Sequence, residues 1–284
     1  MQITAKTKLV GIFGYPISHS LSPVIHNAAF KESGLDFVYV AFPVKPSFLS
    51  EAVKAIRALE IVGVNVTVPH KKEIIKFLDE LSPEVEKIGA VNTVVNLGGK
   101  LKGYNTDFRG FLDSLKVRGV SLEGKRVLLV GAGGAALAVA FALLGEKIDT
   151  LFLINRTSDR LKEMVERLLE FFPEKRIKIV DYEKRNSLSF KGEVDILINA
   201  TSLGMKEKDP PPISLDGFSS TLYVYDVVYN RETELLKEAK RRKMKYQDGL
   251  DMLIFQAAAA FEIWTGKKAP ISTMKEVAES FLRK

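Results

Sequence analysis

From Val127 to Gly145 the chain runs for 19 residues without a charge, yet Gly131, Gly133 and Gly134 stand in the middle of that run. A helix carrying so much glycine is poor, so the run does not read as a membrane span. It reads as a buried strand (Val127–Val130), a glycine turn and a buried helix (Ala135–Leu144). Gly131-Ala132-Gly133-Gly134-Ala135-Ala136 matches the dinucleotide-binding fingerprint with alanine in third place. Each position has a physical task. Gly131 permits the tight turn, Gly133 lets backbone approach a pyrophosphate, and Ala136 lets the helix lie close on the strand. The helix N-terminus then offers unpaired N–H groups to phosphate.

The next strand bears on which nucleotide fits. A site for NAD needs Asp or Glu at that strand's end to hold the ribose hydroxyls. Here Leu151–Ile154 ends in Asn155-Arg156-Thr157, with Arg160 one turn later. No carboxylate stands there to repel a 2′-phosphate, and the planar fork of Arg156 suits one. NADP is therefore expected over NAD.

Around this unit, strand-like and helix-like segments alternate, which implies parallel crossovers and an α/β fold. In the first third, Leu9–Phe13, Phe37–Phe42 and Ile61–Val68 read as strands. Helices are expected over 23–33, with Ser22 as cap, over 46–59 and over 70–79. Gly98-Gly99 between 92–97 and 100–104 marks a hairpin. Thr106 is expected to cap a helix over 107–118, the bridge to a second block. There Ile177–Val180, Val194–Ile198 and Leu222–Val227 read as strands, and Thr157-Ser158 as the cap of a helix reaching Phe172. A charged helix over 232–243 and two more over 250–264 and 272–283 complete the chain.

Composition narrows the function classes. None of the 284 residues is cysteine, so disulfides, thiolate nucleophiles and Cys-bound zinc are excluded. With His19, His26 and His70 the only histidines, no metal is expected. The net charge of +7 is spread out, with excesses of three over 1–104 and four over 105–247, and none over 248–284. Nucleic-acid binders concentrate such charge, so no nucleic-acid partner is expected, whereas an anionic small molecule fits. Arg241, Arg242, Lys243 and Lys245 read as a solvated helix end. The opening residues lack a signal-peptide pattern, and the expected setting is cytoplasmic, with no membrane partner.

Several motifs together resemble one family. Gly14-Tyr-Pro-Ile-Ser18-His-Ser20-Leu-Ser-Pro23 with His26-Asn27, then Asn65-Val-Thr67-Val-Pro-His-Lys71, resemble shikimate dehydrogenases. So do Gly89-Ala-Val-Asn92-Thr, Gly103-Tyr-Asn105-Thr-Asp107, Asn199-Ala-Thr201-Ser-Leu-Gly-Met205, Asp226-Val-Val228-Tyr229-Asn230 and Asp248-Gly249-Leu-Asp-Met252-Leu-Ile-Phe-Gln256. Leu137 and Arg231 depart from the family, which usually has a basic residue and a proline there. The resemblance implies NADPH-dependent, reversible reduction of 3-dehydroshikimate to shikimate in aromatic amino-acid biosynthesis. It implies an N-terminal α/β substrate domain with a mainly parallel sheet (1–104 with 248–284). It also implies a Rossmann-type NADP-binding domain (105–247, opening on a bridging helix over 105–119), with the active site in a cleft between them. A monomer and a homodimer are both compatible with it.

Carbonyl reduction needs a hydride, a proton for the forming alkoxide and a fixed substrate. Lys71 follows a strand's carboxyl end, where open α/β sheets place ligands, and its ammonium can polarise a carbonyl and give up a proton. Asp107 is its expected partner, and in the family the matching residues form this catalytic pair. Whether Asp107 shares the proton transfer stays open. By resemblance Ser18 and Ser20 hold the substrate carboxylate, with Tyr229 nearby. Asn65, Thr67, Asn92 and Gln256 are expected on the ring hydroxyls, because amides in apolar runs are costly unless paired. Around the cofactor, Gly131, Ala132, Gly133, Gly134, Ala135, Asn155, Arg156, Thr157 and Arg160 are joined by Thr201, Val228, Gly249 and Met252, the last four by resemblance. The three histidines are expected to be loop or packing residues rather than bases, and Phe261 and Trp264 to pack in the core. Rival readings are an enzyme that also takes quinate or NAD, and a non-catalytic NADPH-binding module. The second would have no need of Lys71 with Asp107.

Overall fold

A computed structural model describes residues 2–187 and 191–283; Met1, residues 188–190 and Lys284 lie outside the described residues. The chain divides into two compact units, residues 1–110 with 254–284 and residues 111–253.

The first unit is built on a six-stranded mixed sheet. Its strands are β1 (Lys8–Gly14), β2 (Phe37–Pro43), β3 (Gly63–Val66), β4 (Glu80–Leu81), β5 (Thr93–Leu97) and β6 (Lys100–Tyr104). Their spatial order is β2-β1-β3-β5-β6-β4. β1 pairs in parallel with β2 and β3, and β4 with β6, while β5 runs antiparallel to both its neighbours. Helices α1 (Ser22–Glu32), α2 (Leu49–Ala58) and α3 (Pro83–Ile88) lie within this unit. Val53, Ile56, Val64, Val66, Val94 and Leu101 form one core between α2 and the sheet. On α1, Asn27 clamps the outer edge of β2. Its Nδ2 donates to the Tyr39 carbonyl and its Oδ1 accepts from the Tyr39 amide, both at 2.9 Å.

The segment expected as a helix over 70–79 is only a short 3₁₀ turn, Glu73–Phe77. Asp79 is drawn away from it, accepting from the Leu101 amide at 2.7 Å and from Arg57 at 2.8 Å, and the chain passes into β4. Ser22 is not the cap of α1 but its first residue, ahead of Pro23, and the Ser20 hydroxyl accepts the Ser22 amide. β3 is shorter than the expected 61–68.

The second unit carries α4 (Asp107–Val117) past its first turn, α5 (Gly134–Gly145), α6 (Ser158–Phe171), α7 (Glu234–Arg241) and the start of α8 (Leu250–Thr265). Its strands are β7 (Arg126–Val130), β8 (Thr150–Ile154), β9 (Ile177–Ile179), β10 (Ile196–Asn199), β11 (Tyr223–Asp226) and β12 (Lys245–Gln247). All run parallel, in the order β12-β11-β10-β7-β8-β9. The charge-free run thus becomes β7, a turn and α5, whose residues are buried from Ala136 to Ala140 and from Ala142 to Leu144. Among the described residues no helix is long and apolar enough to cross a membrane. The cationic cluster does end a helix, α7, where Arg242 binds Glu238 and Asp216. The remainder of α8 and α9 (Ile271–Leu282) return to the first unit, where Phe261 stacks on Phe30 at 5.3 Å.

Candidate active site

In the first unit β1, β3 and β6 share one direction, so their carboxyl ends lie along one edge of the sheet. Ser18 and Ser20 follow β1, Thr67 and Lys71 follow β3, and Asp107 follows β6. Asn92 reaches the same edge because it precedes the antiparallel β5.

Lys71 Nζ lies 2.5 Å from Asp107 Oδ2, with their side chains 16% and 8% exposed. The pair is therefore largely shielded from water, where an ion pair acts more strongly than at the surface. Asp107 is held at three points. Its Oδ1 accepts from Asn92 Nδ2 at 2.8 Å, its Oδ2 from Lys71, and its amide donates to Asn105 Oδ1 at 3.0 Å. Asn105 is in turn fixed by donating to the Ala90 carbonyl. Thr106, directly ahead of α4, also bonds Asn92 through its amide and hydroxyl, at 2.7 and 2.9 Å.

Asn65 and Asn92 are buried and paired. Asn65 accepts from the Tyr39 hydroxyl at 2.7 Å and donates to the Asn92 carbonyl and to Thr93 Oγ1. Gln256 Oε1 on α8 lies 3.5 Å from Asn92 Nδ2. Thr67 is half-buried, its amide on the Phe13 carbonyl. Ser18 is exposed and Ser20 half-buried beside the start of α1. Tyr229 belongs to the second unit, where burial raises its phenol above the ordinary value. Lys71, Asp107, Asn92, Asn65 and Gln256 are thus one hydrogen-bonded group. Tyr39, Thr93 and Asn105 belong with them, and for Tyr39 and Thr93 nothing in the local sequence announces it beyond a polar atom in an apolar strand.

Two histidines pack, His26 and His70, and His19 is exposed on its loop. His70 Nε2 bonds the Val44 carbonyl at 2.7 Å, and His26 stacks on Tyr39 at 4.5 Å with an interplanar angle of 3°. Both ring nitrogens of His26 are buried without a hydrogen-bond partner, and desolvation lowers its pKa to about 3. Trp264 is buried, its Nε1 donating to the Val94 carbonyl.

In the second unit the cofactor candidates follow the carboxyl ends of five parallel strands. Gly131 to Ala135 follow β7, Asn155 to Arg160 follow β8, Thr201 follows β10, Val228 follows β11 and Gly249 follows β12. Gly131 has φ +124°, and a Cβ there would sit 2.9 Å from the Ala200 carbonyl oxygen. Gly133 is exposed and caps α5, and nothing lies within 4 Å of where its Cβ would stand. That open backbone ahead of a helix N-terminus fits a pyrophosphate. Arg156 and Arg160 are exposed, and Asn155 Nδ2 donates to the Thr157 carbonyl. Thr157 occupies the cap position of α6 but makes no side-chain cap bond. Leu137 faces the interior of the unit and is buried.

Two residues quoted in the motifs without a role organise the far loops. Asn199 Oδ1 accepts from the amide and hydroxyl of Thr201, and its Nδ2 donates to Asp226. Asp226 also accepts from the Val228 amide and the Thr233 hydroxyl. Burial raises the Asp226 pKa to about 6. Val228 accepts from the Gly249 amide at 3.2 Å, and any side chain at Gly249 would overlap the Val227 backbone.

Comparison with known proteins agrees along the chain. A family model described as the shikimate dehydrogenase substrate binding domain matches residues 12–94. One described as shikimate / quinate 5-dehydrogenase matches 114–205, and one described as the shikimate 5'-dehydrogenase C-terminal domain matches 249–279. A shikimate dehydrogenase (NADP(+)) of Caldanaerobacter subterraneus subsp. tengcongensis is 45% identical over 269 residues, covering 94% of this chain and 95% of that one. Another from Moorella thermoacetica is 46% identical over 281 residues, covering 98% and 94%. A crystal structure of a shikimate dehydrogenase in complex with NADP+ superposes with a TM-score of 0.93 at 40% identity, covering 100% and 98%.

Proposed function

The chain belongs to the shikimate dehydrogenase family and is an NADP-dependent oxidoreductase, and from that premise we propose that Lys71 and Asp107 are its acid–base pair in the reversible reduction of 3-dehydroshikimate to shikimate. In this reading the first unit binds the substrate and the second binds NADP. NADP(H), when bound, supplies or accepts the hydride, and it is held by the Gly131–Ala135 turn, Asn155, Arg156, Thr157, Arg160, Thr201, Val228, Gly249 and Met252.

The observation that carries the reading is the 2.5 Å contact between Lys71 and Asp107. An ammonium has three N–H donors, and Asp107 takes one of them. Another can be directed at the substrate's carbonyl oxygen, polarising it and giving up its proton as the alkoxide forms. Nζ is then neutral and regains its proton from solvent. Asp107, braced by Asn92, keeps the ammonium oriented. Asn65, Thr67, Asn92 and Gln256 meet the ring hydroxyls, and Ser18 and Ser20, with Tyr229, meet the carboxylate. A cytoplasmic enzyme, as a monomer or a homodimer, goes with this reading, supported by a chain that contains no cysteine.

Replacing Lys71 tests it. Lys71→Ala is expected to lower kcat by about 10²–10⁴-fold, the usual worth of a positioned general acid. NADPH binding, followed by nucleotide fluorescence, stays near wild type. Turnover of shikimate with NADP+ at an undiminished rate would remove the assignment.

A further inference from the structure

The bonds around Asp107 form a chain whose direction is fixed at both ends. A carboxylate of an ion pair only accepts, so Asn92 must turn its Nδ2 toward Asp107 Oδ1 (2.8 Å) and its Oδ1 away. The Thr106 amide, a donor only, confirms that orientation at 2.7 Å. Asn92 Oδ1 then accepts from the Thr93 hydroxyl at 3.0 Å, which leaves Thr93 Oγ1 to accept from Asn65 Nδ2 at 3.1 Å. Asn65 is fixed independently. Its Nδ2 also faces the Asn92 carbonyl (3.2 Å), which cannot donate, so its Oδ1 must face Tyr39. Tyr39 Oη therefore donates, at 2.7 Å.

We propose that Tyr39 and Thr93 are positioning residues for the reaction, joining Asn65 and Asn92 in a one-way hydrogen-bond chain that orients Asp107 and, through it, Lys71. The proposal rests on the acid–base reading of Lys71 and Asp107. Tyr39, Asn65, Thr93 and Asn92 are all buried, and an unmade hydrogen bond in such a place is costly, so each link holds the next. His26 lies flat against the Tyr39 ring and is neutral at physiological pH, so it adds no charge to the head of the chain.

The chain also limits what the two amides can offer a substrate. Both hydrogens of Asn65 Nδ2 have acceptors, the Asn92 carbonyl and Thr93, and those of Asn92 Nδ2 have Asp107 and Thr106. Asn92 Oδ1 is also filled, by the Thr106 amide and the Thr93 hydroxyl, so acceptor capacity is left on the Asn65 oxygen, which takes only the Tyr39 hydroxyl. Groups that donate, such as ring hydroxyls, are recognised there, and groups that only accept are refused.

The test compares Thr93→Val, which keeps the shape and removes the hydroxyl, with Thr93→Ser, which keeps the hydroxyl. Thr93→Val is expected to lower kcat about three- to tenfold, the worth of one neutral hydrogen bond, and to displace the pH profile of kcat. Thr93→Ser keeps the wild-type profile. Tyr39→Phe is expected to lower kcat in the wild-type background and to cost less than about twofold once Thr93 is Val, because the chain is already cut. Equal kcat and pH profiles for Val and Ser, or a fully additive double variant, would overturn the proposal. Should Thr93→Val not fold, Tyr39→Phe alone decides: an unmoved pH profile overturns it, since a loss of stability alone does not move that profile. Shikimate turnover by the wild-type enzyme, measured in parallel, separates failure of this inference from failure of the reading beneath it.

Discussion

Arg156 stands exposed just past β8, where an NAD site would hold a carboxylate. A charge-assisted bond to a 2′-phosphate is worth about 1.5–3 kcal/mol, or roughly ten- to a hundredfold in affinity. Arg156→Ala is accordingly expected to cut kcat/KM for NADPH by that factor and to leave NADH nearly unaffected. The ratio of the two specificity constants is the measurement. At this scale the sequence was informative where chemistry is stated locally. Lys71 sits beside a strand end and Asp107 opens a helix, so both could be picked out, and they meet. Thr93 and Tyr39 could not be, because a hydroxyl in an apolar strand looks alike whether it is idle or engaged. Their partners, Asn65 and Asn92, lie on other stretches of chain. Thr106 stands directly ahead of α4, its carbonyl accepting from the Gly110 amide as a cap residue's does, and it also serves Asn92, a task its local sequence does not announce.

Among elements, the β7–turn–α5 unit is the most exacting. Gly131 adopts φ +124°, outside what side chains tolerate, and a Cβ would crowd the Ala200 carbonyl. Gly131→Ala is expected to destabilise the second unit by about 1–3 kcal/mol and to weaken NADPH binding together with it. Thermal unfolding and nucleotide titration check the two effects. The charge-free stretch that becomes β7 from Val127 onward and α5 was legible because burial on nearly every side leaves it uninterrupted. The misses are short. β4 and β12 have two and three residues, too few to show an alternation. α3 has six, although Ser82-Pro83 ahead of it and Gly89 with φ +73° behind it are start and stop signals. The turn at Glu73–Phe77 fell short of a helix because long-range bonds to Asp79, invisible in local pattern, redirect the chain.

Over the whole molecule, two buried titratable groups bend the pH dependence of stability in opposite senses. His26 is lowered to about 3 in the folded chain, from an ordinary value of 6.5. Between those values the unfolded chain binds the proton and the folded chain does not, so stability present above 6.5 drains away as pH falls toward 3. Asp226 is raised from 3.8 to about 6, so there the folded chain takes the proton first and gains stability as pH falls through that window. His26→Phe, which keeps a flat ring against Tyr39, is expected to flatten the fall of the melting temperature between pH 6.5 and pH 4. Parallel melting series for both proteins measure it, and identical slopes would show that the imidazole does not titrate as its burial requires.

The clamp of Asn27 on Tyr39 has a consequence for life in a crowded solution. An outermost strand is an invitation, since any extended peptide can zip onto its spare amides and carbonyls. Here a side-chain amide mimics that visitor, filling both bonding positions at the middle of the margin. An incoming segment finds its central rung already taken, which makes fibrous self-association along this border unfavourable.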